Sequence, residues 1–174
     1  MILMDEIKLG IIGYLDLRDM FDIFEDELVS KYYMLPELDS DADRYYLFKH
    51  FIVLSLDKKR YVRAIRFNDR LIGFINDVGC ANGSIELGIA LSSRYHGKGY
   101  GTRAFKMSIA ELFNMGYKEV IASCFIENEA SRRMMEKCGM VKTDIVEEIE
   151  YRGVMYEAIY LKIENAHSVP CKKS

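Results

Sequence analysis

A short glycine-rich segment carries the clearest chemical signal in the sequence. It lies between a strand-like apolar run, Ile85 to Leu91, and a helix-like pattern that begins near Thr102, and its residues are His96, Gly97, Lys98, Gly99, Tyr100 and Gly101. Glycine lets phosphate oxygens approach the backbone closely and adopts positive φ without strain. Because the N-terminus of a helix also carries a partial positive charge, the segment predicts a backbone cradle for an anion.

The charges around this segment agree with an anion site. No acidic residue occurs between Glu86 and Glu111, whereas the same stretch contains Arg94, Lys98, Arg103 and Lys106. An ATP-type phosphate loop needs Ser or Thr directly after the lysine, and the sequence has Gly99 there. The stretch Gly99 to Ala104 does match the dinucleotide pattern G-x-G-x-x-G/A, which normally opens a series of βαβ units. A nicotinamide-cofactor enzyme is therefore kept as an alternative.

The apolar periodicities predict the elements that position this segment. The predicted helices are Leu17 to Val29, Ala42 to Leu56, Thr102 to Met115 and Asn128 to Lys137. The predicted strands are Ile7 to Ile12, Tyr61 to Phe67, Leu71 to Ile75, Ile85 to Leu91, Tyr117 to Ile126 and two that flank Tyr151 to Gly153. Asn68 and Asp69 predict a hairpin turn between the second and third of these, and Gly79 to Ser84 is predicted as a further turn. This order predicts one α/β (α+β) domain at 1–164, with a mixed, mostly antiparallel sheet of about six to seven strands flanked by about four helices. A polar tail follows at 165–174.

Composition and charge limit the classes of function. Half of the residues are apolar, 29% are charged and the formal net charge is −3, which is typical of an ordered globular domain and argues against broad binding to nucleic acid or an anionic membrane. The N-terminus has no basic leader before an apolar run, and no segment approaches the about 20 apolar residues of a spanning helix. We expect a cytoplasmic protein without nucleic-acid or membrane partners, and a homodimer is left open.

The cysteines give no indication of a metal site. Cys80, Cys124, Cys138 and Cys171 form no C-x-x-C pair, and no histidine lies at zinc-ligand spacing from them. We expect no metal cofactor.

Three segments together resemble the GNAT superfamily of acetyl-CoA-dependent N-acetyltransferases. They are Ile85 to Leu91, His96 to Gly101, and the stretch from Asn128 to Met140 that reads N-E-A-S and then E-K-C-G-M. The likeness points to the branch that contains ribosomal-protein N-terminal acetyltransferases and polyamine acetyltransferases. It is specific over residues 85–140, and before them only the order of elements matches. It implies transfer of an acetyl group from acetyl-CoA to a primary amine, by direct attack on the thioester.

The resemblance also implies where acetyl-CoA binds. His96 to Gly101 occupies the family's Q/R-x-x-G-x-G/A position, whose backbone amides bind the CoA pyrophosphate, although His96 departs from the usual Gln or Arg. The backbone of the strand end is implied to bind the pantetheine arm and to splay from the next strand; its residues are Ile89, Ala90 and Leu91. Asn128 and Ser131 resemble family residues beside that arm, while an asparagine there also suits a helix N-cap.

Glu86 is the candidate catalytic residue. Period-two alternation places it on one face of its strand with Gly88 and Ala90, opposite Ile85, Leu87 and Ile89. A carboxylate beside two small residues has room for a ligand. An alkyl amine with a pKa near ~10.4 is protonated at neutral pH and must lose a proton to attack the thioester. Family members often carry a glutamate on this strand that acts as the base through water.

Two features leave the mechanism and the acceptor open. Where many family members carry a tyrosine that protonates the departing sulfur, this chain has Met135; Tyr95, Tyr32, Tyr33 or water are the possible substitutes. A CoA-binding module without effective chemistry is therefore a second alternative.

The first two helices are acidic and could attract a peptide N-terminus, a polyamine or another small amine, but solvated helix faces have the same composition.

Overall fold

The computed structural model describes residues 6–166, which contain a single seven-stranded sheet. Its strands are β1 (Ile7–Gly10), β2 (Val62–Phe67), β3 (Arg70–Ala81), β4 (Ser84–Leu91), β5 (Glu119–Phe125), β6 (Val141–Tyr151) and β7 (Val154–Glu164). They lie in the order β1-β2-β3-β4-β5-β7-β6, and within the described residues only β4 and β5 pair in parallel. The predicted mixed, mostly antiparallel sheet is confirmed.

Within the described part of the chain, five helices cover the two faces of the sheet. They are α1 (Leu17–Phe24), α2 (Glu27–Tyr32), α3 (Asp41–Leu56), α4 (Tyr100–Asn114) and α5 (Glu129–Lys137). The prediction of one helix from Leu17 to Val29 was wrong, because Asp26 adopts extended dihedrals and its carboxylate caps a new helix by accepting from the N–H groups of Leu28 and Val29. The apolar periodicity continues across Asp26, so the sequence pattern gives no sign that one helix ends there and another begins.

Two apolar clusters hold the helices against the sheet. On one face, Ile85 and Leu87 of β4 are buried with Phe105 of α4 and Met135 of α5. On the other face, α1, α2 and α3 pack on residues of β2 and β3, and Ala90 of β4 is buried there as well. The alternation predicted for β4 is therefore observed, with its large apolar side chains under α4 and α5 and its small ones toward α1–α3.

Tight turns join the antiparallel strands. Asn68 and Asp69 have positive φ between β2 and β3, as the predicted hairpin requires. The turn predicted at Gly79 to Ser84 is narrower in the structure, since β3 continues to Ala81 and only Asn82 and Gly83 form the turn. A register shift between Asp77 and Gly79 leaves Val78 as an extra residue of β3 without ending the strand.

Both ends of the chain lie outside the part that the structure describes. Residues 1–5 and 167–174 lie outside the described residues, and with them most of the predicted polar tail at 165–174. Between residues 6 and 166, no helix is both long enough and apolar enough to span a membrane.

Candidate active site

The parallel pair β4 and β5 separates halfway along its length. Ser84 to Leu87 pair with Glu119 to Ala122. Beyond this point, β4 remains paired to β3 and β5 remains paired to β7, but no register joins β4 to β5 in the described sheet. A gap thus opens between the two central strands, bordered by Gly88–Leu91 on one side, and the backbone edge of β4 along it is available to a ligand.

The glycine segment lies at the far end of this gap. After Leu91, a single helical turn at Ser93–Tyr95 leads to Gly97 and Gly99, which have φ of 72° and 77°. Helix α4 then begins, and Gly99 is its left-handed N-cap. The first N–H groups of a helix have no intrahelical acceptor and carry its positive end. The segment therefore has the geometry of an anion cradle.

Two side chains of the segment hold its backbone in place. The His96 ring places Nε2 2.8 Å from the carbonyl oxygen of Leu91, which ties the loop to the end of β4. Tyr100 is buried, and its ring stacks on Phe67 with 4.7 Å between centroids. Both of these side chains are therefore engaged with protein. Lys98 is exposed and lies over the Tyr95 ring.

Helix α5 follows directly after the part of β5 that is separated from β4. The Asn128 Oδ1 atom accepts a hydrogen bond from the N–H of Ser131 at 3.1 Å, so this asparagine caps the helix. Ser131 lies near the thiol of Cys124, and burial raises the pKa of that thiol to about 11. Met135, where the family tyrosine is expected, is 1% exposed and belongs to the core.

Glu86 lies on the opposite face, where the two strands begin to separate. Its Oε1 atom accepts a hydrogen bond of 3.0 Å from the hydroxyl of Ser123, on the separated part of β5. Nearby, the Tyr33 hydroxyl donates to Asn76 Oδ1, and the Tyr33 ring lies over Gly88. Burial raises the pKa of Tyr33 above its ordinary value, so its hydroxyl remains protonated. The Glu86 carboxylate therefore lies in a polar, half-buried region of this face, on the same side of β4 as the contact between Gly88 and Tyr33.

Sequence reasoning missed three of these polar residues: Asn76, Ser123 and Tyr160. Ser123 and Tyr160 are cross-strand neighbours on β5 and β7. Neither has a local motif, and only the pairing of distant strands brings them to Glu86. Of the tyrosines considered as proton donors, Tyr95 packs beside Tyr100 in the glycine segment and Tyr32 packs in a cluster with Phe125.

The acidic residues of the first helices mostly have structural partners. Asp16 forms two hydrogen bonds of 2.8 Å with the guanidinium of Arg66, and Asp19 pairs with Arg70 at 2.9 Å. An acidic groove of about 450 Å³ nevertheless remains between α1, α2 and the loop after β4.

Residues 6–166 contain no group of three or more His, Cys, Asp or Glu side chains arranged to hold a metal ion.

Solved structures show the same fold in several acetyltransferases. The microcin C7 self-immunity acetyltransferase MccE, solved with acetyl-CoA and AMP, is 20% identical with a TM-score of 0.80, over 92% of this chain and 93% of its own. Spermidine N-acetyltransferase from Vibrio cholerae, solved with CoA and spermine, is 18% identical with a TM-score of 0.75, over 91% and 95%. Ribosomal-protein-S5-alanine acetyltransferase from Vibrio fischeri is 17% identical with a TM-score of 0.78, over 94% and 96%.

The sequence itself matches a family model. No curated protein sequence matches the chain significantly. The model of the acetyltransferase (GNAT) domain, however, matches residues 12–141, about three quarters of the chain. The single parallel strand pair also disagrees with the βαβ series of a dinucleotide-binding domain. The chain belongs to the GNAT acetyltransferase family and is an acetyl-CoA-dependent acyltransferase.

Proposed function

We propose that the protein transfers the acetyl group of acetyl-CoA to a primary amine, with Glu86 as the general base. The observation that carries the proposal is the separation of β4 from β5 immediately after Leu87. It leaves a slot that has the Glu86 carboxylate at one end and the anion cradle of Gly97 to Gly101 at the other. A long thioester with a terminal pyrophosphate fits this arrangement of groups.

The proposed cofactor contacts are mostly made by backbone. The amides around Gly99 hold the pyrophosphate at the positive end of α4, and the free edge of β4 from Ile89 to Leu91 holds the pantetheine arm. Asn128 caps α5 through its oxygen, so in this proposal its amide nitrogen donates to the arm, with Ser131 beside it. Backbone donors need little reorganisation when charge develops, so the same strand edge stabilises the oxyanion of the tetrahedral intermediate.

The reaction follows from these placements. The amine enters from the α2 side as an ammonium, and Glu86 takes a proton from it, directly or through one water. The amine nitrogen then attacks the thioester carbon, the nitrogen loses its second proton to water, and the C–S bond breaks as the C–N bond is completed. A thiol near pKa ~8.5 leaves readily as a thiolate. Since Met135 has no proton to give, the thiolate takes its proton from water.

The acceptor is a primary amine on chemical grounds. A half-buried carboxylate beside the gap binds an ammonium group and then serves as its base. One solved structure with this fold contains spermine and another is a ribosomal-protein acetyltransferase, so polyamines and protein N-termini are the acceptors to test first, followed by other small amines.

The decisive experiment measures release of CoA thiol from acetyl-CoA with a panel of amines. We expect thiol release that requires an amine, and we expect Glu86→Gln to lower kcat by about 100-fold or more, because a positioned base contributes about 100- to 10,000-fold. The control is Glu150→Gln, which changes an exposed glutamate of β6. Thermal stabilisation by acetyl-CoA with no thiol release across the panel would contradict the proposal and favour a binding module.

A further inference from the structure

Four polar side chains form a row across the sheet, from the gap to its outer edge. One comes from each of four neighbouring strands: Glu86 on β4, Ser123 on β5, Tyr160 on β7 and Glu147 on β6. Ser123 Oγ donates to Glu86 Oε1 at 3.0 Å, and the Tyr160 hydroxyl donates to Glu147 Oε2 at 2.7 Å. Ser123 and Tyr160 are direct cross-strand partners, so their side chains lie side by side between these two hydrogen bonds. One proton transfer between the two hydroxyls would therefore join the two bonds into a row.

The exposure of the row changes along its length. Glu86, Ser123 and Tyr160 are half-buried, whereas Glu147 is exposed on the edge strand. The row therefore connects the carboxylate beside the gap to bulk solvent. Its two internal members are hydroxyl groups, and each of them can accept one proton while it donates another.

The polar and charged side chains around this row are bonded to other partners. On the same face of the sheet, Lys162 bridges Glu119 at 3.0 Å and Glu164 at 2.7 Å. On α2, the Tyr33 hydroxyl is bonded to Asn76, and Lys31 lies over the ring of Tyr32. Burial, together with the nearby carboxylates of Glu147 and Glu86, raises the pKa of Tyr160. Tyr160 thus remains protonated and can relay a proton without becoming an anion.

Acetyl transfer to an ammonium group requires a route by which one proton leaves the site for solvent. The ammonium nitrogen carries three hydrogens and the amide product carries one. Of the two protons that leave the nitrogen, one is balanced by the proton that the CoA thiolate takes up, and one is released to solvent. A half-buried base must therefore be deprotonated once in every turnover.

We propose that Ser123 and Tyr160 relay this proton from Glu86 to Glu147 at the edge of the sheet. The inference rests on the proposed function of Glu86. Protonated Glu86 gives its proton to the Ser123 oxygen, the Ser123 proton moves to the Tyr160 oxygen, and the Tyr160 proton moves to Glu147 and then to water. One proton enters the row, one leaves it, and both hydroxyls are restored. Ser123 and Tyr160 are positioning residues, since they act on the substrate only through Glu86.

The test uses Ser123→Ala and Tyr160→Phe in the full chain. We expect each to lower kcat by at least about tenfold, less than the about 100- to 10,000-fold of a direct acid or base, with KM for acetyl-CoA unchanged. Added imidazole, a diffusible base, should restore kcat in both variants. Ser84→Ala is the matched control, because Ser84 Oγ makes the equivalent bond to Glu119 at 2.9 Å across the same two strands.

The outcomes separate the relay from the proposed function. Wild-type kcat in both variants, with Glu86→Gln still slow, would overturn the relay alone. A loss of kcat that imidazole does not restore, and that follows a fall in Tm, would assign these residues a purely structural role and would also overturn it. Absence of amine-dependent turnover in the wild-type protein would overturn the proposed function and the relay together.

Discussion

The carboxylate of Asp26 accepts a hydrogen bond of 2.7 Å from the backbone N–H of Ser93, 67 residues along the chain. The other carboxylate oxygen caps α2 at Leu28 and Val29. One side chain therefore joins the start of α2, the helix that precedes Tyr33, to the loop that leads from β4 into the glycine segment. Asp26 holds these two parts of the candidate site together.

We expect Asp26→Ala to lower the free energy of unfolding by about 1–2 kcal/mol, the usual cost of removing an N-cap, and to raise KM for acetyl-CoA. Urea unfolding and steady-state kinetics measure the two effects. Asp41→Ala is the control, since Asp41 is an exposed residue paired with Arg44, and such pairs contribute about 0–1 kcal/mol. Equal losses in the two variants would contradict a linking role for Asp26.

The contribution of Asp26 should also depend on pH. Burial raises its pKa, but hydrogen bonds from Ser93, Val29 and Leu28 lower it by more, so the folded-state pKa lies below the ordinary value. The contribution is then complete above the unfolded-state pKa of about 3.9 and is lost as pH falls through the folded-state value. We expect the stability difference between wild type and Asp26→Asn to be constant from neutral pH to about pH 5 and to shrink below about pH 4. A difference that grows on acidification would contradict this sign.

The glycines of the cradle should respond differently to alanine. A left-handed φ costs a residue with a Cβ about 1–2 kcal/mol, so we expect Gly97→Ala and Gly99→Ala to lower Tm and to weaken acetyl-CoA binding. Gly101 is helical, and a Cβ there would lie 3.5 Å from Met134 Sδ, an ordinary contact. Gly101→Ala should leave Tm unchanged or raise it, with at most about 1 kcal/mol of added stability. Thermal unfolding and calorimetric titration with acetyl-CoA provide the comparison.

Gly73 of β3 should be essential for the position of the cofactor strand. A Cβ at Gly73 would overlap the carbonyl oxygen of Ala90 and lie 3.0 Å from the Cα of Leu91. Because both contacts are with backbone, Gly73→Ala must move β4 beside the gap, and we expect a loss of about 1–3 kcal/mol in stability and weaker acetyl-CoA binding. Gly79→Ala on the same strand is the control, since no atom lies within 4 Å of its Cβ position. Similar effects of the two substitutions would contradict the steric argument.

Asn128 permits a separation of capping from cofactor binding. Asp is as good an N-cap as Asn, but a carboxylate has no N–H to donate. We therefore expect Asn128→Asp to retain Tm and to weaken acetyl-CoA binding, and Asn128→Ala to lower both. Unchanged acetyl-CoA affinity in Asn128→Asp would limit this residue to its cap on Ser131.

Much of the fold follows from local patterns. Alternation placed Glu86 on the polar face of its strand, and turn chemistry predicted the hairpin at Asn68 and Asp69. The sequence is less informative about element boundaries where one periodic pattern of apolar residues spans two separate helices. The apolar positions before and after Asp26 belong to one helical pattern, so the corner there became visible only in the three-dimensional structure.

The sequence by itself determined the strand–glycine loop–helix segment and the side of the strand on which Glu86 lies, because φ > 0 at glycine and a period of two residues are properties of adjacent residues. Only the tertiary structure decided that β4 and β5 part after Leu87 and that Ser123 meets Glu86 across a separation of 37 positions. The physical reason is that strand register depends on the packing of distant elements. Residues that are neighbours in the sequence do not specify how two distant strands pair.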